Sequence, residues 1–487
     1  MGNLRKYLLY IDGTWKESVS KETFISTNPA NGDSLAEVAR GTKEDIDIAV
    51  TAARKAFESK EWSEMLPAER GRILFRFAEL IRDQKDLLAE LESLDTGKPL
   101  SQAYADVEVS ARYCEYYGGI ADKILGETIP IRPDILDYTL REPLGISGQI
   151  VPWNYPIQIA MRGIAPAIAT GNTMVVKPAE DTPMTIMEIA KLSEKTGLPK
   201  GVLNIVTGFG YEAGSALASH SGINQITFTG SVETGISVMK SAAQNVVPTT
   251  MELGGKSPNI VFADANLDEA AEWVVKSITQ NAGQTCSAGS RLIVEKSIHN
   301  EFVERLKGKM EKLTIGPGIT NPDMGPIISE KQLKRIEQYM KIAQEEGLQI
   351  ITGGSSLKKG EYAKGFFFQP TIIDGVQPTH RLACEEVFGP VLSVLTFESI
   401  EEALAIANGT EYGLVAAIWT ENIHKAHFLA SKINAGQIFI NNYGAGGGVE
   451  MPFGGYRKSG FGREKGLETL RQYTQLKNIA VKISREF

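Results

Sequence analysis

A few short segments hold residues whose types and spacing could do covalent or acid–base chemistry. Cys286 lies in Asn281-Ala282-Gly283-Gln284-Thr285-Cys286-Ser287-Ala288-Gly289. Glycine and small residues on both sides imply close backbone approach and an accessible thiol. Read alone, such a thiol is either a nucleophile or a small buried hydrophobe, because free cysteine is among the most buried residue types. No second cysteine is near enough for a Cys-x-x-Cys pair, and Cys114 and Cys384 read as structural. Glu252, in Met251-Glu252-Leu253-Gly254-Gly255-Lys256-Ser257-Pro258, is placed between a helix and the first strand of a second α/β unit. Apolar and glycine neighbours solvate a carboxylate poorly and raise its pKa toward the range of a general base. A loop glutamate in a salt bridge is the plain alternative.

Other segments suit an anionic ligand. Gly208-Phe209-Gly210-Tyr211-Glu212-Ala213-Gly214 is a GxGxxxG run between strand and helix, not the GxGxxG spacing of a dinucleotide fingerprint. Gly230-Ser231 ends a strand and opens a helix, where free amides can hold phosphate. Lys177-Pro178-Ala179-Glu180 offers a cation and a carboxylate at a strand end. Each is also consistent with an ordinary turn. The five histidines lie outside these motifs and none has metal-ligand spacing, so neither a metal nor a histidine-dependent triad is expected.

The elements that must position these residues alternate between short β-branched runs and longer amphipathic helices, a pattern of α/β units with parallel sheets. Helices are expected over 44–60 and 67–95. Four strand–helix units follow: strand 145–151 with helix 153–169, strand 172–177 with helix 182–196, strand 202–206 with helix 214–219, and strand 225–229 with helix 232–244. Such a series suggests a nucleotide-binding domain. A second series runs through strand 258–262, helix 267–281, strand 290–295 and helix 297–312. It continues with strands near 367–373 and 391–397, helix 399–407, and strands 414–419 and 437–441. Residues 124–142 and 471–484 read as extra strands, and unpaired edges of that kind invite partner chains.

With 487 residues, 42% hydrophobic and 23% charged, the chain can bury a full core and suits two to four domains. Three cysteines exclude a disulfide-stapled miniprotein and fit a reducing compartment. A net charge of −8 with interspersed signs argues against nucleic acid as a partner. No apolar run reaches the roughly 18–20 residues of a membrane span, and Met1–Tyr10 does not read as a secretory signal, so a cytoplasmic location is expected.

Taken in order along the chain, seven segments together resemble the NAD(P)-dependent aldehyde dehydrogenase superfamily, in its hydrolytic, non-acylating branch. They are Val151-Pro152-Trp153-Asn154-Tyr155-Pro156, Lys177-Pro178-Ala179-Glu180, Phe228-Thr229-Gly230-Ser231, Glu252-Leu253-Gly254-Gly255-Lys256, Gly283-Gln284-Thr285-Cys286, Glu385-Glu386-Val387-Phe388-Gly389-Pro390 and Pro452-Phe453-Gly454-Gly455. The resemblance implies a Rossmann-like NAD-binding domain over 1–123 and 143–251 and an α/β catalytic domain over 252–455. Residues 124–142 and 456–487 would form a small β oligomerisation element, joining the chain to itself as a dimer or tetramer. Cys286 would be the nucleophile, Glu252 the base for a hydrolytic water, Asn154 an oxyanion donor and Glu464 a proton relay. NAD, with NADP weaker, would meet Ile150, Val151, Pro152, Trp153, Lys177, Glu180, Gly210, Gly230, Ser231, Leu253, Glu386 and Phe388.

Tyr155, Ile159, Arg162 and Phe453 would line the aldehyde pocket. Many members carry a lysine where this chain has Gly163, with Arg162 just before it. The loop Asn442–Glu450 is glycine-rich and lacks the tryptophan that betaine-aldehyde enzymes offer to trimethylammonium. An aromatic or medium-chain aliphatic aldehyde is therefore expected, with a betaine-type or other specialised aldehyde as the alternative. A non-catalytic member would lack Cys286 or Glu252. A member passing its acyl group to coenzyme A would usually lack the glutamate.

Overall fold

Strands Thr173–Lys177 and Gln225–Thr229 are buried along their whole length. That is the mark of a parallel sheet covered on both faces, where β-branched residues run on rather than alternate with polar ones. The computed structural model describes residues 4–444 and 448–483. It places these two strands in an eight-stranded sheet ordered Gly460–Phe461, Thr249–Glu252, Gln225–Thr229, Ile146–Ile150, Thr173–Lys177, Leu203–Ile205, Leu9–Ile11 and Thr14–Lys16. The five strands from Thr249–Glu252 to Leu203–Ile205 are mutually parallel. Strand Ile146–Ile150 comes first in the chain among them yet sits in the middle, with later strands added on both sides. The crevice at such a switch of direction, beyond the carboxyl ends of the strands, is where open α/β sheets bind ligands.

After Glu252 the chain crosses to a seven-stranded sheet ordered Gln349–Thr352, Thr371–Asp374, Val391–Phe397, Arg291–Glu295, Pro258–Val261, Val415–Trp419 and Gln437–Ile440. All neighbours are parallel except the first pair. A separate three-stranded sheet pairs Thr474–Lys482 with Ile135–Pro143 from Thr474↔Pro143 to Lys482↔Ile135, and Thr128–Ile129 lies beyond. Leu136, Leu140, Leu476 and Val481 on this ribbon are exposed. No helix among the described residues is long and apolar enough to cross a membrane.

Several boundaries differ from those read in the sequence. The helix expected over 67–95 is two helices, Pro67–Asp83 and Lys85–Thr96, broken at Gln84 with ψ of 18°. The helix expected from residue 153 begins at Pro156, whose fixed φ suits the first turn, so Val151–Tyr155 stays irregular. Glu252 is the last residue of strand Thr249–Glu252 rather than part of a loop. Helix Leu100–Ile120 was not read at all. It buries Asp106, Ser110, Tyr113 and Tyr117 together with its apolar residues, which blurs the apolar stripe that marks a surface helix. Helix Glu330–Glu345 and the short strands before residue 40 were also missed.

The short edge strand Gly460–Phe461 pairs antiparallel with Met251 and Glu252, and Leu253 N–H donates to Ser459 O at 3.0 Å. Gly460 has φ +111°, and a Cβ there would lie 1.9 Å from Met251 O. Gly460→Ala should therefore cost about 1–3 kcal/mol in backbone strain, with more from displacing the strand that holds Glu252. A lower unfolding midpoint together with a lower kcat is expected. An unchanged midpoint would show that the edge strand adapts freely.

Candidate active site

The carboxyl edge of the first sheet presents Ile150, Lys177, Thr229 and Glu252 as strand-terminal residues. Opposite it stand loops that precede strands of the second sheet. Gly254–Lys256 enters Pro258–Val261, the Cys286 turn enters Arg291–Glu295, and Glu386–Gly389 enters Val391–Phe397. These loops approach closely. A Cβ on Gly255 would lie 2.5 Å from Cys286 O, and one on Gly283 would lie 2.2 Å from Gly389 O.

The turn before Cys286 is held in an unusual backbone conformation. Asn281, Ala282 and Gly283 follow one another with φ of +49°, +53° and +73°. Three buried residues in the left-handed region persist only where surrounding contacts impose them. Asn281 N–H donates to Gln102 Oε1, and Asn281 Nδ2 donates to Asn154 O, both at 3.0 Å. Gln284 Oε1 accepts from Ile328 N–H at 2.9 Å. The residues flanking Cys286 are each tied to a tyrosine: Tyr155 OH and Thr285 Oγ1 are 2.9 Å apart, and Tyr443 OH donates to Ser287 O at 2.6 Å. Tyr155 is itself covered by Lys98, whose Nζ stands 4.1 Å from the ring centroid and pairs with the buried carboxylates of Glu92 and Asp106.

Cys286 is partly exposed. Burial nevertheless pushes its thiol up to about 12, with Arg162 opposing that rise and Glu252 and Glu386 adding to it. Asn154 is buried and donates one amide N–H to Gln284 O at 3.0 Å, and its second N–H has no partner among the described residues. Among the described residues the Cys286 backbone N–H donates to none. Cys384, read as structural, is also partly exposed, its Sγ 3.2 Å from Pro378 O, so Cys286 is not the sole accessible thiol.

Glu252 is 1% exposed, and neither carboxylate oxygen has a hydrogen-bond partner among the described residues. Its pKa is raised well above the usual carboxylate range, first by burial and then by the neighbouring Glu464, against the pull of Arg162, Arg463 and Lys465. Gly454 makes room for it, since a Cβ there would lie 2.9 Å from Glu252 Oε1. Glu464 is held by paired backbone hydrogen bonds with Phe453 and forms a buried ion pair with Arg162. Arg162, read from the sequence as a substrate contact, thus has its charge committed to Glu464. Gly163 leaves space that Gln149 occupies, as a Cβ on Gly163 would lie 2.3 Å from Gln149 Nε2.

Several of the residues read as nucleotide contacts lie at or directly after the same strand ends. Lys177 Nζ is 2.9 Å from Glu180 Oε2. Burial raises the Glu180 pKa, but Lys177 and the N–H groups of Glu180 and Gly210 outweigh it and bring it below the usual value. A Cβ on Gly210 would meet nothing within 4 Å. Ser231 caps helix Val232–Ala243 by accepting from Thr234 N–H, and Gly230 N–H donates to Glu252 O. Val151 N–H donates to Lys177 O, which fixes the start of the Val151-Pro152-Trp153 segment. Leu253 packs beneath Gly235 of that helix. Trp153 and Phe388 meet edge to face at 5.3 Å, and Phe388 has φ +61°. Glu386 Oε1 accepts Gly255 N–H at 2.9 Å, and burial raises its pKa to about 7.

Tyr155, Ile159 and Phe453 are buried aromatic and aliphatic surfaces. Of the loop Asn442–Glu450, residues 445–447 lie outside the described residues. Lys465 was missed in the sequence, although a cation directly after Glu464 in a glycine-rich turn was the available signal. Its Nζ lies 5.2 Å from the Phe453 ring centroid, and Arg162 Cζ lies 5.4 Å from it. Tyr443, quoted only as part of the loop, was likewise missed as an anchor of the Cys286 turn.

Comparison with known proteins matches residues 15–479 to the model of the Aldehyde dehydrogenase family. Betaine aldehyde dehydrogenase of Bacillus subtilis is 44% identical over 474 residues, 97% of this chain and 96% of that protein. Human mitochondrial aldehyde dehydrogenase is 42% identical over 482 residues, 98% of this chain and 92% of that protein. The solved NAD+ complex of an aldehyde dehydrogenase from Bacillus cereus superposes with a TM-score of 0.96 at 41% identity, covering 99% of this chain and 97% of that one.

The raised thiol pKa has a direct readout. Alkylation needs thiolate, so carbamidomethylation of Cys286 by iodoacetamide in the free enzyme should be slow at pH 7. It should rise about tenfold per pH unit past pH 9. Peptide mass spectrometry separates Cys286 from Cys384. A rate that levels off below pH 9 would mean that the free enzyme already holds a stabilised thiolate.

Proposed function

The chain belongs to the aldehyde dehydrogenase family, and from that premise we propose that it oxidises an aldehyde to the carboxylate with NAD, through a thioester on Cys286 that water then hydrolyses. The observation that carries the hydrolytic part is Glu252, a buried carboxylate with no hydrogen-bond partner among the described residues, close enough to the thiol to raise its pKa.

The donors and acceptors of the crevice fit a dinucleotide. Glu180 suits the two ribose hydroxyls of an adenosine, Gly210 leaves open space beside it, and the first-turn amides of Val232–Ala243 suit a diphosphate. Glu386 suits the second ribose, and the Trp153–Phe388 pair suits the nicotinamide end. NAD, when bound, accepts the hydrogen of the aldehyde carbon as hydride.

The chain's own residues do the rest. The partly exposed Cys286 thiol gives its proton to water, the thiolate sulfur adds to the aldehyde carbon, and the carbonyl electron pair moves to oxygen. The free N–H of Asn154 and the backbone N–H of Cys286 hold that oxyanion, donors fixed in place before the charge develops. Once the carbon has been oxidised, Glu252 takes a proton from water as the water oxygen bonds to the thioester carbon. The carbon–sulfur bond then breaks and the thiolate leaves. The charge influence of Glu464 on Glu252 supports a role for Glu464 as a proton relay, with Arg162 as its ion-pair partner. Tyr155, Ile159 and Phe453 support an aromatic or medium-chain aliphatic aldehyde. A betaine-type substrate, as the name of the Bacillus subtilis relative would suggest, is disfavoured by Arg162 and Lys465 at the Phe453 ring, the face a trimethylammonium group would seek. The exposed ribbon of Ile135–Pro143 and Thr474–Lys482 supports self-association as a dimer or tetramer.

Glu252→Gln keeps the shape of the side chain but cannot take a proton from water. Rapid mixing with an aldehyde and NAD should give a burst of NADH followed by turnover at least 100-fold slower than wild type, within the range that general-base catalysis contributes. Wild-type steady-state turnover would overturn the role of Glu252.

Glu180 should also set the cofactor preference. Its carboxylate would meet the 2′-phosphate of NADP, and like charges so placed cost several kcal/mol, partly offset by Lys177. A preference for NAD of about 10–100-fold in kcat/KM, or ~1.4–2.8 kcal/mol, is expected. Glu180→Ser should narrow it by improving NADP. Equal kcat/KM with the two cofactors in the wild type would show that Glu180 does not face the ribose.

A further inference from the structure

The charged groups around Glu252 and the thiol are not equally committed. Arg162 and Glu464 form a buried ion pair, and Arg162 reaches Thr229 Oγ1 with a second nitrogen. Glu252 stands beside that pair. Lys465 is only 9% exposed; its Nζ has no hydrogen-bond or salt-bridge partner among the described residues and is not among the fully buried unpartnered atoms, so its tip keeps contact with water. It is not within salt-bridge distance of either carboxylate.

The backbone holds Lys465 against the aldehyde pocket rather than out in solvent. Its residue has φ +60°. The carbonyl of Lys465 accepts from Thr469 Oγ1 at 2.9 Å, and the next residue, Gly466, donates to Val449 O at 2.9 Å. Glu464 and Phe453 are joined by two backbone hydrogen bonds, which stitch this segment to the pocket wall. The ammonium stands over the ring of Phe453, and Cys286 is among the groups whose charge it senses. Burial lowers its pKa to about 8, which leaves it mostly cationic at neutral pH.

We propose that Lys465 is a specificity-determining residue that favours aldehydes carrying a carboxylate and disfavours cationic ones. An ammonium with no protein partner, held over Phe453 with its tip at the edge of water, can pair with an anionic substrate group and repels a cationic one. The inference rests on the dehydrogenase reading above and adds the substrate class. The rival account makes Lys465 a counterion for Glu252 and Glu464, acting on every substrate alike.

The test compares benzaldehyde with 4-carboxybenzaldehyde, following NADH, in wild type, Lys465→Met, Lys465→Gln and Lys465→Arg. The quantity read is the ratio of kcat/KM for the carboxylated aldehyde to that for the plain one. The ratio should fall at least tenfold in Lys465→Met, equivalent to about 1.4 kcal/mol, mainly through KM. Lys465→Gln should lower it as well, and it serves if the methionine variant fails to fold. Lys465→Arg should keep it within about threefold. A ratio unchanged in the neutral variants, with kcat reduced for both aldehydes alike, would overturn the proposal in favour of the counterion account. Wild-type enzyme that oxidises neither of these nor a medium-chain aliphatic aldehyde such as hexanal would overturn the underlying dehydrogenase reading instead.

Discussion

Charge is held out of water at the centre of this protein, and much of the surrounding structure serves that condition. Glu252 and Cys286 both have their neutral forms favoured by burial. A carboxylate that is wholly neutral cannot act as a base, and one that is wholly ionised has little affinity for a proton. The Arg162–Glu464 pair sits between these limits: the glutamate raises the Glu252 pKa and the arginine lowers it. Because Arg162 is bound to Glu464, its charge adds electrostatic bias without itself going unpaired. At Gly163 of helix Pro156–Thr170 Gln149 packs into the space beside the backbone, and the preceding residue, Arg162, supplies the cation.

The two large sheets contribute opposite ends. The first presents the carboxyl ends of its strands, with strand-terminal Glu252 and helix amides nearby. The second presents loops that enter its strands, among them the Cys286 turn. The turn is held from both sides, its left-handed start through Asn154 and Gln102 and the neighbours of Cys286 through Tyr155 from the first half of the chain and Tyr443 from the second. Lys98 on the face of Tyr155 extends this support into a buried network with Glu92 and Asp106. That network draws its residues from helices Lys85–Thr96 and Leu100–Ile120 and the turn between them. A rigid nucleophile turn is useful because small errors in placement cost rate steeply.

Local chemistry made much of this legible in the sequence. Strands Gln225–Thr229 and Val391–Phe397 have the bounds that their β-branched runs suggest, because a buried parallel strand writes its burial into consecutive residues. The glycines beside Cys286 and Glu252 signalled close backbone approach, and Gly255 and Gly283 do meet opposing backbone there. Helix Leu100–Ile120 was illegible for the converse reason: it is packed against neighbours on several sides and buries polar groups by pairing them, so no single apolar stripe survives.

The sequence by itself determined which residues could react and the order of the strand–helix units, since both follow from side-chain chemistry and local periodicity. It could not determine which charges would share one volume. That Arg162 turns to Glu464 and Lys465 to Phe453, and that Tyr155 and Tyr443 grip the two neighbours of Cys286, was decided only in the folded molecule. These partners are separated by more than 100 residues in most cases. Their meeting depends on how the two sheets and the returning strand Gly460–Phe461 close on one cleft. Pairing over such separations is fixed by packing and topology, and no local pattern of residues records it.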